Sequence, residues 1–215
     1  MHNAAIGTLG LDYAYLPFPI APERLKTAID GFAAIGLTGF NITIPHKQTI
    51  MPLLANISDV AQAIGAVNTV WWRDGGWWGT NTAAAGFIAP LQALGREWGQ
   101  SSALILGNGV AARAVVAACH QLGCPEILVV GRSAEKLAAF AKSWQTSPLQ
   151  PPLSVHPWER LSDLLPRASL VVNSTPVGMA PNVEASPLTD AQMALLSSQA
   201  IAYDLIYTPR PTRFL

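Results

Sequence analysis

The chain has 215 residues, with 13 basic and 13 acidic side chains. Zero formal charge excludes a broad electrostatic footprint for nucleic acid or an anionic membrane. That length allows one large or two small domains, and with half the residues hydrophobic and only 12% charged the composition excludes disorder. The start shows no basic stretch followed by an apolar leader, and the apolar run Ala103–Cys119 is broken by Asn108 and Arg113. A cytoplasmic protein is expected. Cys119 and Cys124 fit neither a disulfide framework nor a zinc site; Cys119 is expected on a helix core face and Cys124 beside a turn. His2, His46, His120 and His156 have no paired ligand spacing, so no metal is expected.

In chain order, Asp12–Phe18 alternates weakly and reads as a strand, with Pro17, Pro19 and Pro22 around its exit. Ala21–Ile35 carries Leu25, Ala28, Ile29, Phe32 and Ala33 at helical spacing, and Gly36 and Gly39 stop it. Phe40, Ile42 and Ile44 alternate with Asn41 and Thr43, a short strand with one polar face. Pro45 cannot donate to a ladder and should end it, which places Lys47 at the strand exit. A lysine partly withdrawn from water can exchange protons near neutral pH. A solvated turn lysine has the same local sequence.

Thr49–Leu54 and Val60–Ile64 read as short helices, the second capped by Ser58. Val67–Trp72 and Gly76–Thr80 flank Asp74-Gly75, a hairpin signal. Trp71, Trp72, Trp77 and Trp78 can pair across that hairpin as strand packing, as a ligand platform or as a dimer contact. Ala83–Trp98 reads as a helix. From Ser101 a strand–helix–strand period begins: strand Ala103–Leu106, helix Val110–Leu122, strand Ile127–Val130, and a helix capped by Ser133 reaching about Trp144. Trp144–Pro157 is rich in Pro, Ser and Gln and reads as loop around one short strand, followed by strands Leu170–Val172 and Ile201–Leu205. The parse is two α/β units with a boundary near Gly99.

Gly107-Asn108-Gly109-Val110-Ala111-Ala112 leaves a predicted strand and opens a predicted helix. Gly107 permits the tight turn, Gly109 permits close approach of a pyrophosphate, and Ala112 takes the third small position. The helix amides would face the phosphates. At the tip of the next strand NAD would need a carboxylate for its ribose. Here stand Arg132, Ser133 and, one turn on, Lys136, all donors for a 2′-phosphate, which favours NADP.

These motifs together resemble the shikimate dehydrogenase family. The resemblance rests on Phe40–Lys47, Gly65–Thr69, Gly79-Thr80-Asn81-Thr82, the glycine loop with Gly131-Arg132-Ser133, Val172–Met179 and Asp204–Pro209, in order along the chain. It implies NADP-linked reversible reduction of 3-dehydroshikimate to shikimate in aromatic amino-acid biosynthesis. It implies a substrate-binding catalytic domain over residues 1–83 and a connecting helix over 84–100. An NADP-binding Rossmann domain over 101–202 and the start of a returning segment over 203–215 would follow, with the site in the cleft between domains. Lys47 matches the catalytic lysine; Thr43, Asn68 and Tyr207 match polar substrate contacts; Thr175 and Leu205 match the nicotinamide border. A monomer or homodimer acting on a small molecule is implied.

The sequence departs from the family pattern where an aspartate is called for after Gly79–Thr82, since position 83 is Ala83. An alanine cannot accept a hydrogen bond, and loss of a positioned acid–base partner costs roughly 10²–10⁴-fold in rate. The family pattern also places a Ser-x-Ser carboxylate motif before a segment like Met1-His2-Asn3, and a glutamine-bearing segment after one like Thr212–Leu215. An incomplete substrate domain and an impaired enzyme are therefore expected. A non-catalytic NADP- or shikimate-binding paralogue and a quinate/shikimate dehydrogenase are the alternatives.

Overall fold

The computed structural model describes all residues from Met1 to Leu215. Two compact units make up the chain, Met1–Leu37 and Thr38–Leu215.

In the first unit, helix α1 spans His2–Thr8 and helix α2 spans Leu25–Ala34, entered through a 3-10 turn at Pro22–Arg24. The expected strand over Asp12–Phe18 does not form, because no other strand pairs with it. A side chain ties it instead: Asn3 Nδ2 donates to the Tyr15 carbonyl at 2.9 Å, and Asn3 Oδ1 accepts from the Tyr15 N–H at 2.7 Å. The His2 ring stacks on Tyr15 with centroids 4.1 Å apart.

The second unit begins with β1 (Gly39–Asn41), α3 (His46–Thr49), β2 (Asn56–Ile57), α4 (Asp59–Ile64), β3 (Thr69–Arg73) and β4 (Gly76–Thr80). The sheet order is β1-β3-β4-β2. Asp74 and Gly75 both take positive φ, 52° and 78°, the type I′ geometry that matches strand twist. Trp71 pairs with Trp78 and Trp72 with Trp77 across the strands. The Trp72 and Trp77 rings meet edge-on at 4.9 Å, and the Arg73 guanidinium lies 4.9 Å from the Trp78 ring. All four tryptophans thus pair across the hairpin, with Trp72 left exposed.

The Lys47 strand is shorter than expected and Pro45 does not end it. β1 stops at Asn41, whose Nδ2 donates to the Asn68 carbonyl at 3.3 Å and to the Thr69 hydroxyl at 3.2 Å. Ile42 N–H makes the last bond across, to the Asn68 carbonyl at 2.9 Å. The chain then turns through a His46 N–H to Thr43 carbonyl bond, and Lys47 lies in the helical turn α3. Ser58 caps α4 as expected, accepting from the Ala61 N–H, and its hydroxyl also meets the Thr80 hydroxyl at 2.7 Å.

Helix α5 covers Ala83–Gln92 and falls short of Trp98. Gly95, at φ 62°, turns the chain out of it. A five-stranded sheet follows: β5 (Ser102–Leu106), α6 (Val110–Gln121), β6 (Glu126–Gly131), α7 (Ala134–Gln145), β7 (Leu153–Pro157), α8 (Leu161–Leu164), β8 (Leu170–Asn173), α9 (Asp190–Met193) and β9 (Ile201–Asp204). All pairings are parallel, in the order β7-β6-β5-β8-β9. Both faces are covered, so the strands read as continuous apolar runs. Ala103, Ile105, Ile127 and Val129 pack with Phe87, Leu91, Val115 and Phe140 on one face. Leu104, Leu106, Leu128 and Val130 pack with Leu161, Leu165 and Phe214 on the other.

Helix α6 ends in a Schellman motif. Gly123, at φ 81°, donates to the His120 carbonyl, and Cys124 N–H donates to the Cys119 carbonyl, both at 3.0 Å. Cys119 and Cys124 are the buried contact that accompanies such a stop. The Cys124 thiol and burial together push the Cys119 thiol well above its ordinary range.

Replacing Ser58 by Ala removes the α4 cap and the Thr80 contact. The expected loss is about 1 kcal/mol in a urea unfolding titration. An unchanged midpoint would show that the cap does not hold α4.

Candidate active site and dinucleotide site

In an open parallel sheet, ligands bind beyond the strand ends where strand order reverses. That point lies between β5 and β8, both of which pair directly. The loops after the two strands interlock there. Gly107 takes φ 99°, and its N–H donates to the Val130 carbonyl at 2.9 Å. A Cβ on Gly107 would stand 2.9 Å from Thr175 Cγ2 and 3.1 Å from Ser174 Oγ. Ser174 donates to the Leu106 carbonyl from its N–H at 3.0 Å and its hydroxyl at 2.6 Å.

Gly109 opens α6 with no side-chain cap and nothing within 4 Å of where its Cβ would be. Val110 and Ala111 are exposed and Ala112 is buried. The helix therefore presents uncapped first-turn amides to an open approach, as a diphosphate requires. Asn108 lies over Gly131, whose Cβ would fall 3.0 Å from Asn108 Oδ1. Beyond it Arg132 and Lys136 are exposed, while Ser133 Oγ accepts the Lys136 N–H at 3.3 Å as the α7 cap. The Ser133 hydroxyl proton remains to donate. These residues suit a dinucleotide carrying an extra phosphate.

The β8 end is held by a fully buried Asn173. Its Oδ1 accepts from the Thr175 N–H at 3.0 Å and hydroxyl at 2.7 Å. Its Nδ2 donates to the Val177 carbonyl at 3.1 Å and to Asp204 Oδ1 at 3.0 Å. Asp204 also accepts from the Ile206 N–H at 3.0 Å and from the Thr212 hydroxyl at 2.6 Å. Leu205 N–H donates to the Asn173 carbonyl at 3.1 Å. Thr175 and Leu205 thus flank one buried network.

Lys47 is half-buried. Its carbonyl accepts from the Val67 N–H at 2.8 Å, beside Asn68. Asn68 Oδ1 accepts from the Thr82 N–H at 3.0 Å, the Thr82 hydroxyl at 3.2 Å and the Thr69 hydroxyl at 2.9 Å. Asn81, buried, donates to the Ala66 carbonyl at 2.9 Å and accepts from the Ala83 N–H at 2.9 Å. The turn holding Lys47, Asn68 and the start of α5 at Ala83 are one hydrogen-bonded assembly. Thr43 belongs to it through its carbonyl and leaves an exposed side chain. Tyr207 does not: it is 85% exposed beyond β9.

Arg113 and Asn81 were not singled out from sequence as site residues. Arg113 binds the Ile64 carbonyl through Nε at 2.8 Å, the Ala63 carbonyl through Nη2 and the Ser143 hydroxyl through Nη1. Burial lowers its guanidinium pKa below the ordinary value. The available signal was an arginine inside an otherwise apolar run.

Two family models match the chain. One, the shikimate dehydrogenase substrate binding domain, covers residues 1–70, and the other, shikimate / quinate 5-dehydrogenase, covers residues 91–210. The chain belongs to the shikimate dehydrogenase family. A shikimate dehydrogenase (NADP(+)) of Trichormus variabilis is 60% identical over all of this chain and 75% of its own length. One of Synechocystis is 59% identical over all of this chain and 74% of its own. Among solved structures, Listeria monocytogenes shikimate 5-dehydrogenase with shikimate and NAD matches at TM-score 0.90 and 32% identity, covering all of this chain and 75% of that one. The 5-ketofructose reductase of a Gluconobacter strain matches at TM-score 0.86 and 30% identity, covering 99% and 75%.

Gly107→Ala places a methyl against Thr175 at a positive φ, a combination expected to cost about 1–3 kcal/mol of strain or shift the loop. NADP(+) binding measured by calorimetry should weaken at least tenfold, with β-sheet circular dichroism retained. Wild-type affinity would show that the loop does not hold the dinucleotide.

Proposed function

We propose that this chain is an NADP-dependent shikimate dehydrogenase, catalysing reversible reduction of 3-dehydroshikimate to shikimate in aromatic amino-acid biosynthesis. The observation that carries the reading is the assembly joining the Lys47 turn, Asn68 and the start of α5. It holds a lysine and an amide together on backbone bonds, as a proton-transfer site requires. Lys47 holds or releases a proton at the substrate oxygen on the reacting carbon. Asn68 spends its Oδ1 internally, which leaves its Nδ2 to donate to a substrate hydroxyl. Thr43 and Tyr207, both exposed, supply further polar contacts to a polyhydroxylated ring.

Gly107 makes the tight turn, the amides of Asn108, Gly109, Val110 and Ala111 hold the diphosphate, and Arg132, Ser133 and Lys136 hold the 2′-phosphate. Thr175 and Leu205 border the nicotinamide end. The bound dinucleotide supplies or accepts the hydride. In this reading residues 1–83 bind substrate, 84–100 connect, and 101–202 bind NADP, in a cytoplasmic monomer or homodimer.

Ala83 sets the efficiency. It is the first residue of α5 and is exposed, so no carboxylate stands there to exchange the proton held by Lys47. That observation also favours a second reading, a ligand-binding paralogue with little turnover. Ala83→Asp separates the two. An acidic residue in a first helical turn is stabilising by about 0.3–1 kcal/mol, so the variant should fold at least as well. NADPH formation from shikimate at alkaline pH should rise on the order of 10²-fold, and Lys47→Met should abolish it in both backgrounds. No turnover in the aspartate variant, with NADP(+) still bound, would favour the paralogue. Quinate in the same assay tests the alternative substrate.

A further inference from the structure

Arg113 is a charged side chain with no carboxylate partner. It lies in the first part of α6, four residues past Gly109, whose carbonyl accepts the Arg113 N–H at 3.3 Å. Its guanidinium bonds the Ala63 and Ile64 carbonyls, which α4 leaves unpaired where Gly65 turns the chain at φ 72°. The same fork reaches Ser143 on α7 and lies 4.8 Å from the Trp144 ring and 5.7 Å from the Phe140 ring. Three residues beyond Ile64, Val67 N–H bonds the Lys47 carbonyl, and Asn68 follows.

One side chain therefore spans from the helix that opens at the glycine loop to the segment that carries the proton-transfer site. A planar fork with five donors can serve two carbonyls and a hydroxyl while stacking on rings; an ammonium cannot. An arginine used only to fill the core would not need donors aimed at two successive carbonyls of another helix.

We propose that Arg113 is a positioning residue that fixes the Gly65–Asn68 segment, and with it Lys47, relative to the Gly107–Val110 loop. The proposal rests on the functional reading above for its consequence in turnover, but not for its structural content. Hydride transfer between two separately held ligands depends on their spacing, and a misplacement of about 1 Å can cost on the order of 10²-fold.

The test compares Arg113→Lys and Arg113→Met by amide hydrogen exchange, NADP(+) calorimetry, and shikimate turnover in the Ala83→Asp background. Exchange over residues 61–68 should speed at least tenfold in Arg113→Met and less in Arg113→Lys, while Ala103–Leu106 keeps its protection. The NADP(+) Kd should stay within threefold and kcat should fall at least tenfold. Wild-type protection over residues 61–68 would overturn the proposal. So would equal loss of protection across the whole chain, which marks a purely structural role. If Arg113→Met does not fold, Arg113→Lys, which keeps charge and bulk, carries the same comparison. The exchange result decides the positioning claim whether or not shikimate turns over. Absence of turnover with exchange behaving as expected counts against the functional reading alone.

Discussion

The segment Gly65–Asn68 is the constraint on which the rest of the site depends. Gly65 closes α4 in the left-handed region, which a side-chain-bearing residue adopts only with strain. The next three residues are then claimed from different directions: Ala66 by the Asn81 amide, Val67 by the Lys47 carbonyl, Asn68 by the Thr80 carbonyl and the Thr82 N–H. A buried backbone group left without a partner costs about 1–3 kcal/mol, so these bonds are hard to exchange for others. The lysine is placed by its backbone, and the Nζ end stays available for chemistry.

The same logic separates the two halves of the site. The half proposed to bind the dinucleotide is built by close approach: Gly107 against Thr175, Ser174 against Leu106, Asn108 over Gly131. The half proposed to bind substrate is built by hydrogen bonds, and in that reading it needs charge at its end, where Ala83 supplies none. The hydrogen-bonded assembly around Lys47 and Asn68 fits a chain whose relatives are named as NADP-dependent shikimate dehydrogenases.

Much of this was legible in the sequence. Asp74-Gly75 marked its hairpin because both positions need positive φ. Ser58 and Ser133 marked their helices because a hydroxyl at the cap accepts a first-turn amide. The apolar runs Ala103–Leu106 and Ile127–Val130 marked strands covered on both faces. What failed depended on partners distant in sequence. Asp12–Phe18 alternates like a strand but has nothing to pair with. β1 ends at Asn41, whose side chain reaches the Asn68 carbonyl and the Thr69 hydroxyl, partners that periodicity cannot foresee. Arg113 looked like an interruption in an apolar helix, since its carbonyl partners lie about fifty residues earlier. Tyr207 was placed by resemblance, and its exposed position gives no contact from which its role could be read.

The central claim is that Lys47 faces the reacting carbon of a ring substrate while the α6 amides hold a diphosphate. A crystal structure of the protein with shikimate and NADP(+) tests it most directly. The account predicts Lys47 Nζ within hydrogen-bond distance of the hydroxyl to be oxidised, Asn68 Nδ2 on a ring hydroxyl, and the diphosphate against Gly109 and Val110. Shikimate bound with that hydroxyl away from Lys47, or a diphosphate away from α6, would contradict it.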